Sequence, residues 1–113
     1  MDFTETTRQR KVSRLLQKEL GSYFQRNSTL FGNKIITVTV VRISPDLSVA
    51  KIYLSIFPVK PGENILQIIK EHSGTIRHSL GSQVKNQLRI IPELSFFIDD
   101  SLDYIEKIDN LLK

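Results

Sequence analysis

The 113-residue sequence predicts one α+β domain, a three-stranded sheet with helices on one face. Three observations predict it. Apolar residues recur at helical spacing near the start of the chain and again after residue 63. Two β-branched runs joined by a short turn lie between those segments. A further apolar run follows the second helical region. A chain near this length buries about two thirds of its unfolded surface, enough for one layered core. A single domain over residues 1–113 is therefore expected.

The first helix is expected from about Glu5 to Phe24. Val12, Leu15, Leu16, Leu20, Tyr23 and Phe24 follow the i, i+3, i+4 recurrence of a buried stripe. Arg10, Lys11, Arg14 and Lys18 fall on the opposite side, giving an oily face and a basic face. Asp2 or Thr4 is the expected cap, with Glu5 three residues after Asp2 as in a capping box. Gly21 weakens the last turn. The stretch from Gln25 to Asn33 reads as a loop.

A strand from about Lys34 to Ile43 follows from an almost unbroken β-branched run. Ser44-Pro45-Asp46-Leu47-Ser48 is a turn, because Pro45 presets φ and the Asp46 side chain bonds nearby backbone. A second strand spans about Val49 to Phe57. Ala50, Ile52, Leu54 and Ile56 point to the core; Lys51, Tyr53, Ser55 and Phe57 point away. So short a turn requires antiparallel pairing. The segment from Pro58 to Gly62 ends the strand.

Two helices are expected next, about Glu63 to His72 and Thr75 to Gln87, kinked at Ser73-Gly74. The first has Ile65, Leu66, Ile68 and Ile69 on its buried side; the second has Ile76, Leu80, Val84 and Leu88. One continuous helix tolerating Gly74, at about 1 kcal/mol relative to Ala, is the alternative. Pro92 breaks the next apolar stretch, which places the third strand at Leu94 to Ile98. Asp99, Asp100 and Ser101 end that strand and cap a short C-terminal helix carrying Leu102, Ile105, Ile108 and Leu112.

Charge is unevenly distributed. The net charge is +4, but residues 93–113 hold two basic and six acidic groups, which leaves +8 on the rest. There is no Cys, so a disulfide framework, a thiolate zinc site and a Cys nucleophile are excluded. No apolar run reaches the roughly 18 residues of a membrane-spanning helix. The polar, partly acidic start, Met-Asp-Phe-Thr-Glu, is no signal peptide, and a cytoplasmic protein is expected.

Catalytic signals are weak. His72 and His78 lie six residues apart with no third ligand nearby, so no metal site is expected. No G-x-S-x-G, P-loop or G-x-G-x-x-G occurs. Capping explains the acidic cluster at Asp99, Asp100 and Asp103, whose spacing misses the calcium-loop pattern. No cofactor is expected. The functional signal lies in the basic positions: Arg8, Arg10, Lys11, Arg14 and Lys18 on the first helix, then Arg77, Lys85 and Arg89, with His78 nearby. Such a stripe supplies counterion-release affinity for a phosphate backbone; an ordinary solvated helix face is the plain alternative. A glycine at a helix junction, here Ser73-Gly74, exposes N–H groups that favour phosphate. The K-homology module uses a G-x-x-G loop in that way, and this chain has no G-x-x-G.

Four segments carry a family resemblance: RQRKVSRLLQKEL at residues 8–20, VTVVRISPDLSVAKIYLS at 38–55, SGTIRHSLG at 73–81, and LRIIPELSFFIDDSLDYIEKIDNLL at 88–112. The chain resembles bacterial ribosome-binding factor A, which acts late in assembly of the small ribosomal subunit. The Ser-Pro-Asp-Leu turn and the Pro-Glu-Leu-Ser-Phe run before Asp99-Asp100 are the most specific pieces. The resemblance implies a single type II K-homology-like domain, in α-β-β-α-kink-α-β order. The family replaces G-x-x-G with a helix-kink-helix, usually Ala-x-Gly; here those positions are His72-Ser73-Gly74. It also implies a non-catalytic monomer that binds the immature small subunit through ribosomal RNA and supports late maturation and processing of that RNA. An assembly GTPase or an initiation factor would assist its release, and no membrane is involved. Arg8, Arg10, Lys11, Arg14, Lys18, Ser73, Gly74, Arg77, His78, Lys85 and Arg89 are the expected RNA contacts. A protein-interaction module with an acidic partner, and a small hydrolase using His72, His78 and Ser79, are the rival readings.

Overall fold

The computed structural model describes residues 5–99. The order is α1 (Thr7–Arg26), a 3-10 turn (Ser28–Phe31), β1 (Ile35–Ile43), β2 (Val49–Phe57), α2 (Ile65–Glu71), α3 (Ser73–Val84) and β3 (Glu93–Ile98). This is the α-β-β-α-kink-α-β order expected. The C-terminal helix expected at Leu102 to Leu112 lies outside the described residues.

α1 starts later than its sequence signals suggested. Its cap is Thr6, not Asp2 or Thr4. The Thr6 hydroxyl accepts from the Gln9 N–H at 3.1 Å, and the Gln9 amide oxygen accepts from the Thr6 N–H at 2.8 Å. This is a capping box with Gln in place of Glu. The helix runs through Gly21 to Arg26, because Tyr23 and Phe24 are buried and hold the last turns. The expected loop after Phe24 therefore begins later. It also contains the 3-10 turn, whose Phe31 is completely buried. Phe31 meets the Phe24 ring edge-on at 5.5 Å and also packs against Tyr23. Gly32 closes that turn at φ 71°, the left-handed region in which glycine pays no Cβ penalty.

β1 and β2 pair antiparallel, and β3 pairs parallel on the far side of β2. The core face carries the cross-strand rows Ile43-Ala50-Leu94, Val41-Ile52-Phe96 and Val38-Leu54-Ile98, with the Ile36-Ile56 pair beyond them; Ile98, at the end of β3, is exposed. Ala50, Ile52 and Leu54 are completely buried, as their alternation predicted; Ile56, at the strand end, is only partly buried. A bulge at Thr39 shifts the register between Val38 and Val40. It keeps Val38 and Val41 inward at an odd spacing.

All three helices pack on this one face. Leu16 and Leu20 of α1, Ile69 of α2, and Ile76 and Val84 of α3 share the core with the sheet. β1 is an edge strand, and α1 glutamines reach its carbonyls. Gln9 donates to Ile43 at 2.9 Å and Gln17 to Val38 at 3.0 Å, which protects backbone groups that would otherwise template another strand. Lys34, before β1, is 6% exposed and meets the Glu63 carboxylate at 2.7 Å. That ion pair ties β1 to the loop leading into α2.

The helix pair is broken, as expected, but at His72 and not at Gly74. α2 starts at Ile65 with Asn64 as cap, two residues later than expected. The His72 N–H bonds carbonyls of the last α2 turn, and the His72 carbonyl accepts from Ile76 at 2.9 Å as α3 begins. Gly74 lies inside the first turn of α3, without positive φ. A Cβ built there meets nothing within 4 Å, so no neighbouring backbone passes close to it. Gly81 is the α3 glycine that faces a neighbour, with Ile91 Cγ1 3.4 Å from an added Cβ. α3 ends at Val84, before the expected Gln87.

Candidate nucleic-acid interface

The buried stripe of α1 determines where its charges go. With Val12, Leu16, Leu20 and Phe24 turned inward, Arg8, Arg10, Lys11, Arg14 and Lys18 are all exposed. α1 packs beside α3. On α3, Ile76, Leu80 and Val84 face the core, which leaves Arg77, His78 and Lys85 exposed. Two cationic helices therefore lie side by side, each with its charges outward.

A shallow groove of about 500 Å³ runs along α3, lined by Gly74, Arg77, His78, Gly81, Lys85 and, across from them, Ile91. The missing side chains at Gly74 and Gly81 open its floor. The groove thus gathers four of the expected contacts: Gly74, Arg77, His78 and Lys85. Ser73 lines a neighbouring hollow of about 250 Å³, with Lys70 and the β3 residues Leu94 to Phe97. Arg89 is exposed on the segment between α3 and β3.

Arg77 has a second task. Its Nε donates to the Pro92 carbonyl at 3.1 Å and an Nη to the Ile91 carbonyl at 2.6 Å. This fork fastens the lead-in of β3 to α3 and uses two of the five N–H donors of a guanidinium. The cation remains at the groove wall, held in place by these two bonds. Pro92, fully buried beneath it, has no N–H of its own to satisfy.

The histidines do not form a catalytic pair. His72 Nδ1 lies 2.8 Å from the Ile68 carbonyl and donates to it, and its ring meets Phe31 edge-on at 5.5 Å. His72 is thus part of the kink itself, and His78 lies exposed in the α3 groove. Among the described residues no cluster of three or more His, Cys, Asp or Glu is placed to hold a metal ion.

Lys70, Gly81 and Ile91 were not anticipated. Gly74, Arg77, Gly81 and Lys85 recur at i, i+3, i+7, i+11, a helical face legible once α3 is taken as one helix. Ile91 lies at the groove where the Arg77 fork holds its carbonyl and its side chain packs against the core.

The sequence profile described as ribosome-binding factor A matches residues 8–112. The ribosome-binding factor A of Cytophaga hutchinsonii is 49% identical over 109 residues, which is 96% of this chain and 82% of that protein. That of Flavobacterium johnsoniae is 48% identical over 110 residues, 96% of this chain and 85% of its own length. The crystal structure of ribosome-binding factor A from Thermus thermophilus superposes with a TM-score of 0.64 at 25% identity, covering 80% of this chain and 94% of that one. A Thermus thermophilus ribosome-binding factor A fitted into a cryo-EM map of its 30S complex superposes with a TM-score of 0.61 at 26% identity, covering 76% and 89%. With the fold and nearly the whole sequence in agreement, the chain belongs to the ribosome-binding factor A family.

Proposed function

We propose that this protein binds the immature small ribosomal subunit through its ribosomal RNA and supports late maturation and processing of that RNA. One observation carries the RNA contact: α1 and α3 pack together while turning their cations outward, beside a groove floored by glycine. Phosphates would lie along Arg8, Arg10, Lys11, Arg14 and Lys18 on one helix. On the other they would meet Ser73, Gly74, Arg77, His78, Lys85 and Arg89. Attraction comes from counterion release, and the Arg forks supply bidentate geometry. The relative seen in a 30S complex supports the choice of partner. Catalysis has no part in this reading; the His72 ring of the rival hydrolase reading is bonded through Nδ1 to the Ile68 carbonyl. The protein would act as a cytoplasmic monomer, with an assembly GTPase or an initiation factor assisting its release.

The test is a titration of small subunits with wild type and with an R10E/K11E/R14E variant at several salt concentrations. The variant is expected to bind more weakly and with a flatter dependence of log K on log salt. Equal affinity and equal slope would remove α1 from the interface.

A further inference from the structure

The core face of the sheet is closed at one end and open at the other. Its rows cross all three strands from Ile43-Ala50-Leu94 to Val38-Leu54-Ile98. The next row holds, among the described residues, only Ile36 and Ile56, because the β3 pairing ends with the Asp99 N–H on the Leu54 carbonyl. Counting on by two from Ile98 reaches Asp100, a charged residue unsuited to a core position. Ile56 is accordingly only partly buried, while Ile52 and Leu54 on the same strand are completely buried. A groove of about 630 Å³ opens there, between the end of β2, the start of α2 and the end of β3. Phe57, Val59 and Ile98 line it and are 67%, 60% and 43% exposed. Large apolar side chains grouped in this way, unlike single ones, mark an interaction surface. The two carboxylates of the groove are engaged: Glu63 accepts from Lys34 and from the Lys60 N–H, and Asp99 accepts from the Thr39 hydroxyl.

We propose that this groove is the docking site of the chain's own C-terminal segment, Ser101 to Leu112, bound as an amphipathic helix through Leu102, Ile105, Ile108 and Leu112. That segment lies outside the described residues; the inference stands on the groove and on where the chain leads. β3 runs parallel to β2 and delivers Asp99 to the groove wall, heading along Ser55 to Phe57. Leu102 is three residues on, so its Cα stays within about 10 Å of that of Asp99. At 100° per residue the four apolar positions span about 120°, with Asp103, Glu106 and Asn110 on the other side. A helix of this pattern supplies the apolar cover that the incomplete row lacks, and turns its acids to water. A segment of about 12 residues is marginal as an isolated helix, so the groove is what would hold it. The tether decides between this occupant and a separate protein, because a short linker gives an effective concentration of about millimolar. Docking here also keeps the acidic segment off the cationic start of α1. Gln9, between Arg8 and Arg10, bonds Ile43 at the opposite end of β1 from Ile36.

The experiment uses the full chain, which has no Cys, so Asn110→Cys gives a single attachment point for a nitroxide. In the isotope-labelled protein the nitroxide is expected to broaden the amide signals of Phe57, Val59 and Leu66 and to leave those of Arg8 to Lys18 sharp. Adding Leu102→Asp and Ile105→Asp is expected to abolish that broadening. The same pair is expected to speed amide exchange at Ser55 by about tenfold or more, the equivalent of exposing one buried apolar side chain. Groove signals that stay sharp in the Asn110→Cys protein would overturn the proposal and leave the apolar patch to a separate partner. Broadening centred on α1 would overturn it by placing the acidic segment on the cations. A mixture of nitroxide chains without isotope and isotope-labelled chains without nitroxide tests for a second copy, and broadening of the groove signals there would overturn docking within one chain. No readout involves RNA, so the result is independent of the subunit titration.

Discussion

Asp46 holds the turn between β1 and β2 with one carboxylate. It accepts from the Ser48 hydroxyl, the Ser44 hydroxyl and the Ser48 N–H at 2.7, 2.7 and 3.1 Å, and these bonds draw its pKa below the ordinary 3.8. A folded pKa below the unfolded one gives stability that is complete above the unfolded value and is lost as pH falls through the folded value. Asp46→Asn is therefore expected to flatten the acid side of the stability curve, read from urea midpoints between neutral pH and about pH 2. Glu63 has the same sign, its carboxyl lowered chiefly by the Lys34 ammonium. Ser13 is the opposite case: its hydroxyl is buried without a hydrogen-bond partner. Ser13→Ala removes an unsatisfied group and improves helix propensity, for an expected gain of about 0.5–1.5 kcal/mol in chemical denaturation.

α3 combines packing and charge in twelve residues, and Gly74 separates the two. No neighbour crowds it and its φ is negative. Gly74→Ala is expected to stabilise the protein by about 0.5–1 kcal/mol through reduced backbone entropy in the unfolded chain. If RNA approaches over the groove floor, the same variant binds small subunits more weakly, and thermal melts read beside subunit binding report the two effects separately. The Arg77 fork is the second device of this element. Arg77→Lys keeps the charge but cannot bridge the Ile91 and Pro92 carbonyls as the planar guanidinium does. A loss of about 1–2 kcal/mol is expected, given the exposed setting, with faster amide exchange at the start of β3.

At the scale of the whole molecule, one sheet separates two surfaces. The helical face buries the core and directs the cations of α1 and α3 to solvent, while the far face keeps Tyr53 and Phe97 accessible. If RNA is the main contact, ribonuclease treatment of assembling small subunits is expected to release the protein. Retention after complete digestion would favour the rival reading, in which an acidic protein partner meets the basic face.

Much of this was legible in the chain. Leu16, Leu20, Ile76 and Leu80 follow helical spacing and Ala50, Ile52 and Leu54 alternate, so local periodicity alone placed the elements and their buried sides. The outward position of the α1 cations follows from the same periodicity. The cap moved to Thr6 because Gln9 is held against β1, a contact between residues 34 positions apart. The helix break moved to His72 because its ring packs on Phe31 and its Nδ1 bonds the Ile68 carbonyl. The parallel placement of β3 beside β2, the Arg77 fork and the Tyr53–Phe97 stack likewise join distant positions. The sequence by itself determined which residues are inward or outward within each element, because that depends on neighbours three or four positions away. Only the tertiary structure decided which outward residues meet, because those distances are set by how the elements pack.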